Sequence, residues 1–472
     1  MSIPTGGSAL SPLDWLMPRT YVTQILCFPS SSPQVFQTLR HGLQGVVTDI
    51  PYLCSGVVAR DHPKGSVQLT ASYQKLDDLL SQDDLTESLD YSTLKAANFP
   101  PSAFPAFVVA ASGPRLEPVF RAKLSRVKGG SVLSVAVHHH TTDITGFGVL
   151  LKLWASRCRS GSSANIGLDP SWYNREAISG PPEEIANDAS RAVPQLIHIV
   201  EQDALPQAAA TRTPELECET RIFYFPVESL RRVKDSINGG GHLKFSGAKA
   251  QWVSTGDVLT ALLWSATVNA MHHTSGNRGE GDMKEHYTAG VPVNFRARLN
   301  PPLRKDYLGA GFAMTVASVS KNDLLSLSNR SALTSEIMEL GSGDIRIWAR
   351  IAGAIRTSIS SVDGESIRDA LRYVALQDDI TNIKLGPHHD GISLVSWADQ
   401  AAYELKWGEK VGKCDAVRLP KLTKRRFPII LPRVPSAEGV DGGFEVILSL
   451  DKLTMQHFSE SRLLSMFGIM RC

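Results

Sequence analysis

Apolar positions recur along this chain with two different periods. Val35, Leu39, Leu43 and Val46 fall near a 3.6-residue repeat, which predicts an amphipathic helix from Val35 to Val47. Val132 to Val137 is a β-branched and apolar run that predicts a strand. Immediately beyond it Phe147, Leu150, Leu151 and Trp154 share one face of a helix expected over Phe147 to Arg157. A second long helix is expected over Val253 to Ala270, introduced by Ser254-Thr255-Gly256-Asp257, a plausible N-terminal cap. Near the end, Phe427 to Leu431 and Phe444 to Leu450 read as short strands, set apart by Pro432, Pro435 and the Gly442-Gly443 pair.

Alternation of strands and helices in both halves predicts a mixed α/β layered architecture. Between about Arg159 and Glu219 the pattern dissolves into Ser160-Gly-Ser-Ser, Gly180-Pro-Pro-Glu-Glu and Ala208-Ala-Ala-Thr-Arg-Thr-Pro, which is loop or linker composition. This divides the chain into an N-terminal domain (1–185), a crossover linker (186–219) and a C-terminal domain (220–472). The polar stretch His272 to Glu285 is expected to be an exposed loop. No internal repeat is visible, which argues against solenoids and propellers.

Composition then narrows the function classes. With 42% hydrophobic and 20% charged residues, the 472-residue chain can bury a large core. A net charge of +2 supplies no general field for nucleic acid or an anionic membrane, and neither is expected as a partner. No apolar run approaches the roughly 20 residues that span a bilayer, and no signal peptide is expected. The six cysteines form no Cys-x-x-Cys pair, which argues against a zinc ribbon or a disulfide scaffold and favours a reducing compartment. A soluble, cytoplasmic, monomeric protein is expected.

The densest chemical signal is Val137-His138-His139-His140-Thr141-Thr142-Asp143-Ile144-Thr145-Gly146, placed between the predicted strand and helix. Such a turn holds a side chain at the rim of a cleft on rigid elements. Three imidazoles there can supply a base near neutral pH, whereas in an extended run they alternate faces and cannot converge on one metal ion. Asp143 has a second, purely structural reading as a cap of the following helix. His388-His389-Asp390, flanked by Gly386-Pro387 and Gly391, reads as a solvated turn rather than a metal site. No Gly-x-Ser-x-Gly elbow, phosphate loop or dinucleotide fingerprint is present.

These residues resemble the BAHD acyltransferase superfamily, in particular its fungal branch of trichothecene 3-O-acetyltransferase type. The likeness is carried in order by Leu10-Ser-Pro-Leu-Asp14 with Met17-Pro-Arg-Thr-Tyr21 and Leu26-Cys-Phe-Pro29, resembling an opening strand. It continues through His138-His139-x-x-x-Asp143, then Ser254-Thr255-x-Asp257 with Leu259-Thr-Ala-Leu-Leu-Trp264. Val293-Asn-Phe-Arg296-Ala-Arg298 with Tyr307-Leu-Gly309 completes it. The family's usual second signature, Asp-Phe-Gly-Trp-Gly, is represented by Glu404-Leu405-Lys406-Trp407-Gly408, in which only Trp and Gly persist; Ile144 stands where Gly is common.

The resemblance implies two chloramphenicol-acetyltransferase-like α/β domains with mixed sheets and a channel between them. It implies His139 as general base, acetyl-CoA or another acyl-CoA as co-substrate, a small-molecule alcohol or amine as acceptor, and no metal or bound cofactor. Asp143 is expected to pair with an Arg of the Arg-x-Arg segment, Arg296 or Arg298, with Arg296 preferred. Trp407 and Gly408 are expected to brace the channel from a distance, or in Trp407's case simply to pack the core. Ser254 and Thr255 either contact CoA or only cap their helix, and Lys249 is a further candidate for a phosphate contact. Two alternatives remain: a condensation-type enzyme drawing on a carrier-protein thioester, and a repurposed, non-acylating member of the fold.

Overall fold

The computed structural model describes residues 9–104, 117–160, 168–179, 192–200, 217–245, 249–278, 284–329, 342–389, 391–422, 424–436 and 442–472. The strand Gly130–His138 is buried along its whole length, because it lies in the interior of a five-stranded sheet. Its neighbours there, in order, are Ala416–Arg418, Tyr21–Phe28, then Gly130–His138 itself, Phe120–Val127 and Leu80–Asp84. Tyr21–Phe28 runs antiparallel to it, with Tyr21 opposite His138 and Phe28 opposite Ser131.

The helices Val35–Asp49 and Ile144–Ser160 lie on this sheet, and Leu39, Leu43 and Val46 meet Phe147, Leu151 and Trp154 above Leu26, Leu133 and Val135. Burying one such large apolar side chain is worth about 1.5–3 kcal/mol, so this layer anchors the strand-to-helix turn firmly. Asp49 and Arg157 form a buried ion pair between the two helices.

A second five-stranded sheet has the order Val395–Ser396, Ile429–Ile430, Gly443–Asp451, Cys218–Pro226, Ile469–Met470. A third, of Phe312–Ser320, His286–Asn294 and Ile392–Ser393, leads toward the Arg296 turn. The helices Val227–Gly239, Thr255–Arg278 and Ser342–Ser360 fill the core around Trp264 and Trp348. The fold is therefore the expected mixed α/β one.

Three details depart from the sequence pattern. The helix begun at Thr255 runs on to Arg278, so the polar stretch from His272 is helical for a further two turns, while 279–283 lie outside the described residues. Thr274 explains the extension: its hydroxyl donates to the Ala270 carbonyl and accepts from Thr454 of the helix Lys452–Ser459, so a polar side chain is buried and satisfied. Within the expected linker, Ile197–Ile199 pairs antiparallel with Ile383–Leu385, while 186–191 and 201–216 lie outside the described residues. Finally, Ala416–Arg418, far along the second half, is the edge strand of the first sheet, with Arg418 opposite Ile25 and Ala416 opposite Cys27. No helix among the described residues is long and apolar enough to cross a membrane.

Candidate active site

The strand Gly130–His138 ends in a single tight turn, His139–Thr141, before the helix Ile144–Ser160 begins. The three successive imidazoles separate as the alternation of an extended chain requires. His138 is fully buried; its Nε2 lies 2.7 Å from Glu117 Oε2, and its Nδ1 accepts the N–H of His140 at 3.3 Å. Burial, opposed by the Glu117 carboxylate, pushes its pKa down to about 4. His140 stacks on His138, with centroids 5.1 Å apart, and its Nδ1 donates to the Asp14 carbonyl at 2.6 Å. Both flanking histidines are thus spent on the protein.

His139 is not. Half-buried, it faces Phe312 at a ring separation of 6.2 Å, and its main-chain N–H is held by the Thr20 carbonyl at 2.8 Å. Its Nδ1 is buried and, among the described residues, has no side-chain hydrogen-bond partner. Desolvation is the largest influence on the ring and holds its pKa below the ordinary value, against the raising pull of its own backbone and of Asp143.

Asp143 turns the other way. Arg296 Nη2 and Nη1 donate to its two oxygens at 2.8 Å each, and the main-chain N–H groups of Gly146 and Gly311 donate at 2.9 and 2.8 Å. Desolvation raises the carboxyl, but the guanidinium and the two amides outweigh it, and the pKa lies below the ordinary value. The N–H from Gly146 is the helix-capping bond, so the capping and ion-pair readings of Asp143 are both realised. Arg296 completes its valence on the carbonyls of Tyr307 and Gly309. A Cβ on Gly311 would sit 2.7 Å from Arg296 Cζ, which is why the guanidinium needs glycine there. Arg298 is engaged elsewhere, donating to the carbonyls of Ile359 and Val362 at 2.6 Å.

The remaining expected residues lie apart from this turn. Trp407 is fully buried against Phe28 and Trp154, at centroid distances of 5.9 and 5.4 Å. Gly408 takes a φ of +92°, a left-handed conformation that glycine adopts without strain. Glu404 is exposed. The Ser254 hydroxyl caps its helix, accepting the Asp257 N–H at 3.2 Å and donating to Asp257 Oδ2 at 2.9 Å, while Arg356 binds both residues. Thr255 opens the helix and is partly exposed; Lys249 is exposed. His389 is half-buried, with Nε2 2.8 Å from Ser393 Oγ; Asp390 lies outside the described residues. Among the described residues no group of three or more His, Cys, Asp or Glu side chains is placed to hold a metal ion.

Pattern reading assigned no role to two braces of the turn. One is Glu117 on His138. The other is a buried pair in which Arg175 Nε lies 3.4 Å from Asp14 Oδ2 and Arg175 Nη2 donates to the Thr141 carbonyl at 2.9 Å. Neither has a local signal, because each partner is a single charged residue distant in sequence; only the resemblance drew attention to Asp14.

The mixed α/β fold together with the matches that follow makes the protein an acyltransferase of the BAHD class. Residues 3–464 match the family described as the Transferase family, and the chain belongs to it. It is 26% identical over 452 residues to the O-acetyltransferase astG of Aspergillus oryzae, covering 85% of this chain and 89% of that one. It is 24% identical over 470 residues to the O-acetyltransferase ptmV of Penicillium ochrochloron, covering 95% and 93%. Among solved structures, F. graminearum TRI101 complexed with coenzyme A and T-2 mycotoxin superimposes with a TM-score of 0.75 at 19% identity, covering 99% of this chain and 100% of that one.

Proposed function

We propose that the protein is an acyl-CoA-dependent O-acetyltransferase acting on a hydroxyl group of a fungal secondary metabolite, with His139 as general base and no metal. The observation that carries this reading is the division of labour in the turn: His138, His140 and Asp143 are each bound to the protein, and only the His139 ring is left for a substrate. The fungal O-acetyltransferase relatives and the coenzyme A complex of TRI101 support the co-substrate and the acceptor class.

In this mechanism neutral His139 takes the proton of the acceptor hydroxyl as its oxygen attacks the thioester carbonyl. The C–S bond of the tetrahedral intermediate then breaks, and the imidazolium returns the proton to the departing thiolate, giving an ester and free CoA. General-base help of this kind contributes about 10²- to 10⁴-fold. A lowered pKa keeps His139 unprotonated and ready at neutral pH. Asp143 and Arg296 hold the turn, and Trp407 and Gly408 support the layer beneath it. The helix start at Ser254 and Thr255 receives the phosphate end of CoA through Thr255, beside Arg356, since the Ser254 hydroxyl is already engaged, and exposed Lys249 is a further phosphate contact of this proposal. The division into acyltransferase domains 1–185 and 220–472 belongs to the same proposal.

Calorimetric titration with CoA and acetyl-CoA, on the wild type and His139→Ala, tests it. Equal binding by both proteins, with acetyl transfer only by the wild type, is the expected result. Absence of CoA binding by both would favour a carrier-protein thioester as donor or a repurposed, non-acylating member of the fold.

A further inference from the structure

The first of the three histidines is buried, titratable and unused by the mechanism above. Its hydrogen bonds nonetheless fix its state. Nδ1 of His138 accepts the His140 N–H, so that nitrogen carries no proton. The neutral ring therefore bears its proton on Nε2, which donates to Glu117 Oε2 at 2.7 Å. The other Glu117 oxygen accepts from Arg19 Nε at 2.9 Å, and the strand carrying Glu117 is fastened by Tyr21, whose hydroxyl donates to the Pro118 carbonyl at 2.8 Å. Tyr21 also lies edge-on against His138, with centroids 5.0 Å apart.

The His140 amide is the first N–H after His139 in the turn, and among the described residues its partner is the His138 ring. If the ring loses its Nε2 acceptor, the other tautomer becomes available, Nδ1 becomes a donor, and two N–H groups then oppose each other beside His139. We propose that Glu117 is a positioning residue for the base: it selects the His138 tautomer, which caps the turn and so holds His139 in place. This inference rests on the reading of His139 as base. It gives the doubled histidine of the signature a physical role, as an orienting pair of carboxylate and imidazole that acts on the backbone and not on the catalytic ring.

Five proteins test it: wild type, Glu117→Leu, Glu117→Gln, His138→Asn and the double variant Glu117→Leu/His138→Asn. Turnover of acetyl-CoA with a panel of alcohols is followed by release of free thiol. Glu117→Leu should lower kcat roughly 10- to 100-fold with KM for acetyl-CoA unchanged. Glu117→Gln, whose amide oxygen still accepts from Nε2, should keep most of the activity. An Asn at 138 can accept the His140 N–H without help, so adding Glu117→Leu to it should cost nothing further. An unchanged kcat in Glu117→Leu, or the same loss in the His138→Asn background, overturns the proposal. Nitrogen-15 spectra of labelled histidine, assigned by the His138→Asn difference, read the tautomer directly in the wild type. Finding Nδ1–H there overturns the proposal whether or not either Glu117 variant folds. A wild type that binds CoA but transfers nothing overturns the assigned function instead, while the tautomer still decides the role of Glu117.

Discussion

Removing the carboxylate of Asp143 is the sharpest perturbation this site allows. Asp143→Ala deletes four hydrogen bonds at once: two charge-assisted ones from Arg296 and one each from the Gly146 and Gly311 amides. Arg296 keeps the carbonyls of Tyr307 and Gly309, but its charge is left buried without a counter-ion. Breaking a buried pair in this way costs about 3–5 kcal/mol. The pH dependence follows from the depressed pKa of Asp143. A group whose folded-state value is lowered contributes stability above its unfolded value, about 3.9, and loses it as pH falls through the folded value. The stability gap between wild type and Asp143→Asn should therefore be full at pH 7 and close in strong acid. Kinetically, a displacement of His139 by about 1 Å costs on the order of 10²-fold in kcat. Urea unfolding at several pH values, alongside thiol release under saturating acetyl-CoA, measures both. A variant with the wild-type unfolding midpoint and the wild-type kcat would refute the role of the pair.

Gly311→Ala should reproduce part of this loss without touching a charge, since the new methyl group lies 2.7 Å from Arg296 Cζ; a double variant with Asp143→Ala should then be far from additive in kcat. Trp407→Ala should lower stability by about 3–5 kcal/mol in urea while leaving the KM for acetyl-CoA unchanged, because the ring packs the core away from His139. Burial holds the His139 pKa below about 6.5, the ordinary histidine value. The acid limb of kcat/KM, which requires the unprotonated base, should therefore lie below that pH; a limb at or above it would contradict the assigned base.

The strand-to-helix turn was legible in the sequence because all its determinants are local: a β-branched run, an amphipathic helix and a histidine string between them. Arg296 was separable from Arg298 only by resemblance, since two residues spaced by two look alike until one finds Asp143 and the other finds Ile359 and Val362. Glu117 and Arg175 carry no pattern of their own, and the Ser11-x-x-Asp14 capping box announces a helix start but not Arg175; what identifies these braces is a partner brought near by tertiary packing. The helical run from His272 to Arg278 was hidden for a different reason. A polar run reads as solvent-facing, whereas Thr274 is buried and meets its hydrogen-bonding needs within the fold.

The edge strand Ala416–Arg418 has a consequence for the order of events during synthesis. When the ribosome has made every other strand of the first sheet, the chain has reached only His138, and Tyr21–Phe28 still presents an open edge of N–H and C=O groups. Closure waits for more than half of the polypeptide to emerge. Until then the nascent first half is a template for stray β-pairing, and a protein cut between its halves would carry that liability permanently. The two halves of this enzyme are therefore sewn together by a late stitch: expressed apart, the first should be soluble only when the segment bearing Ala416–Arg418 is supplied to it.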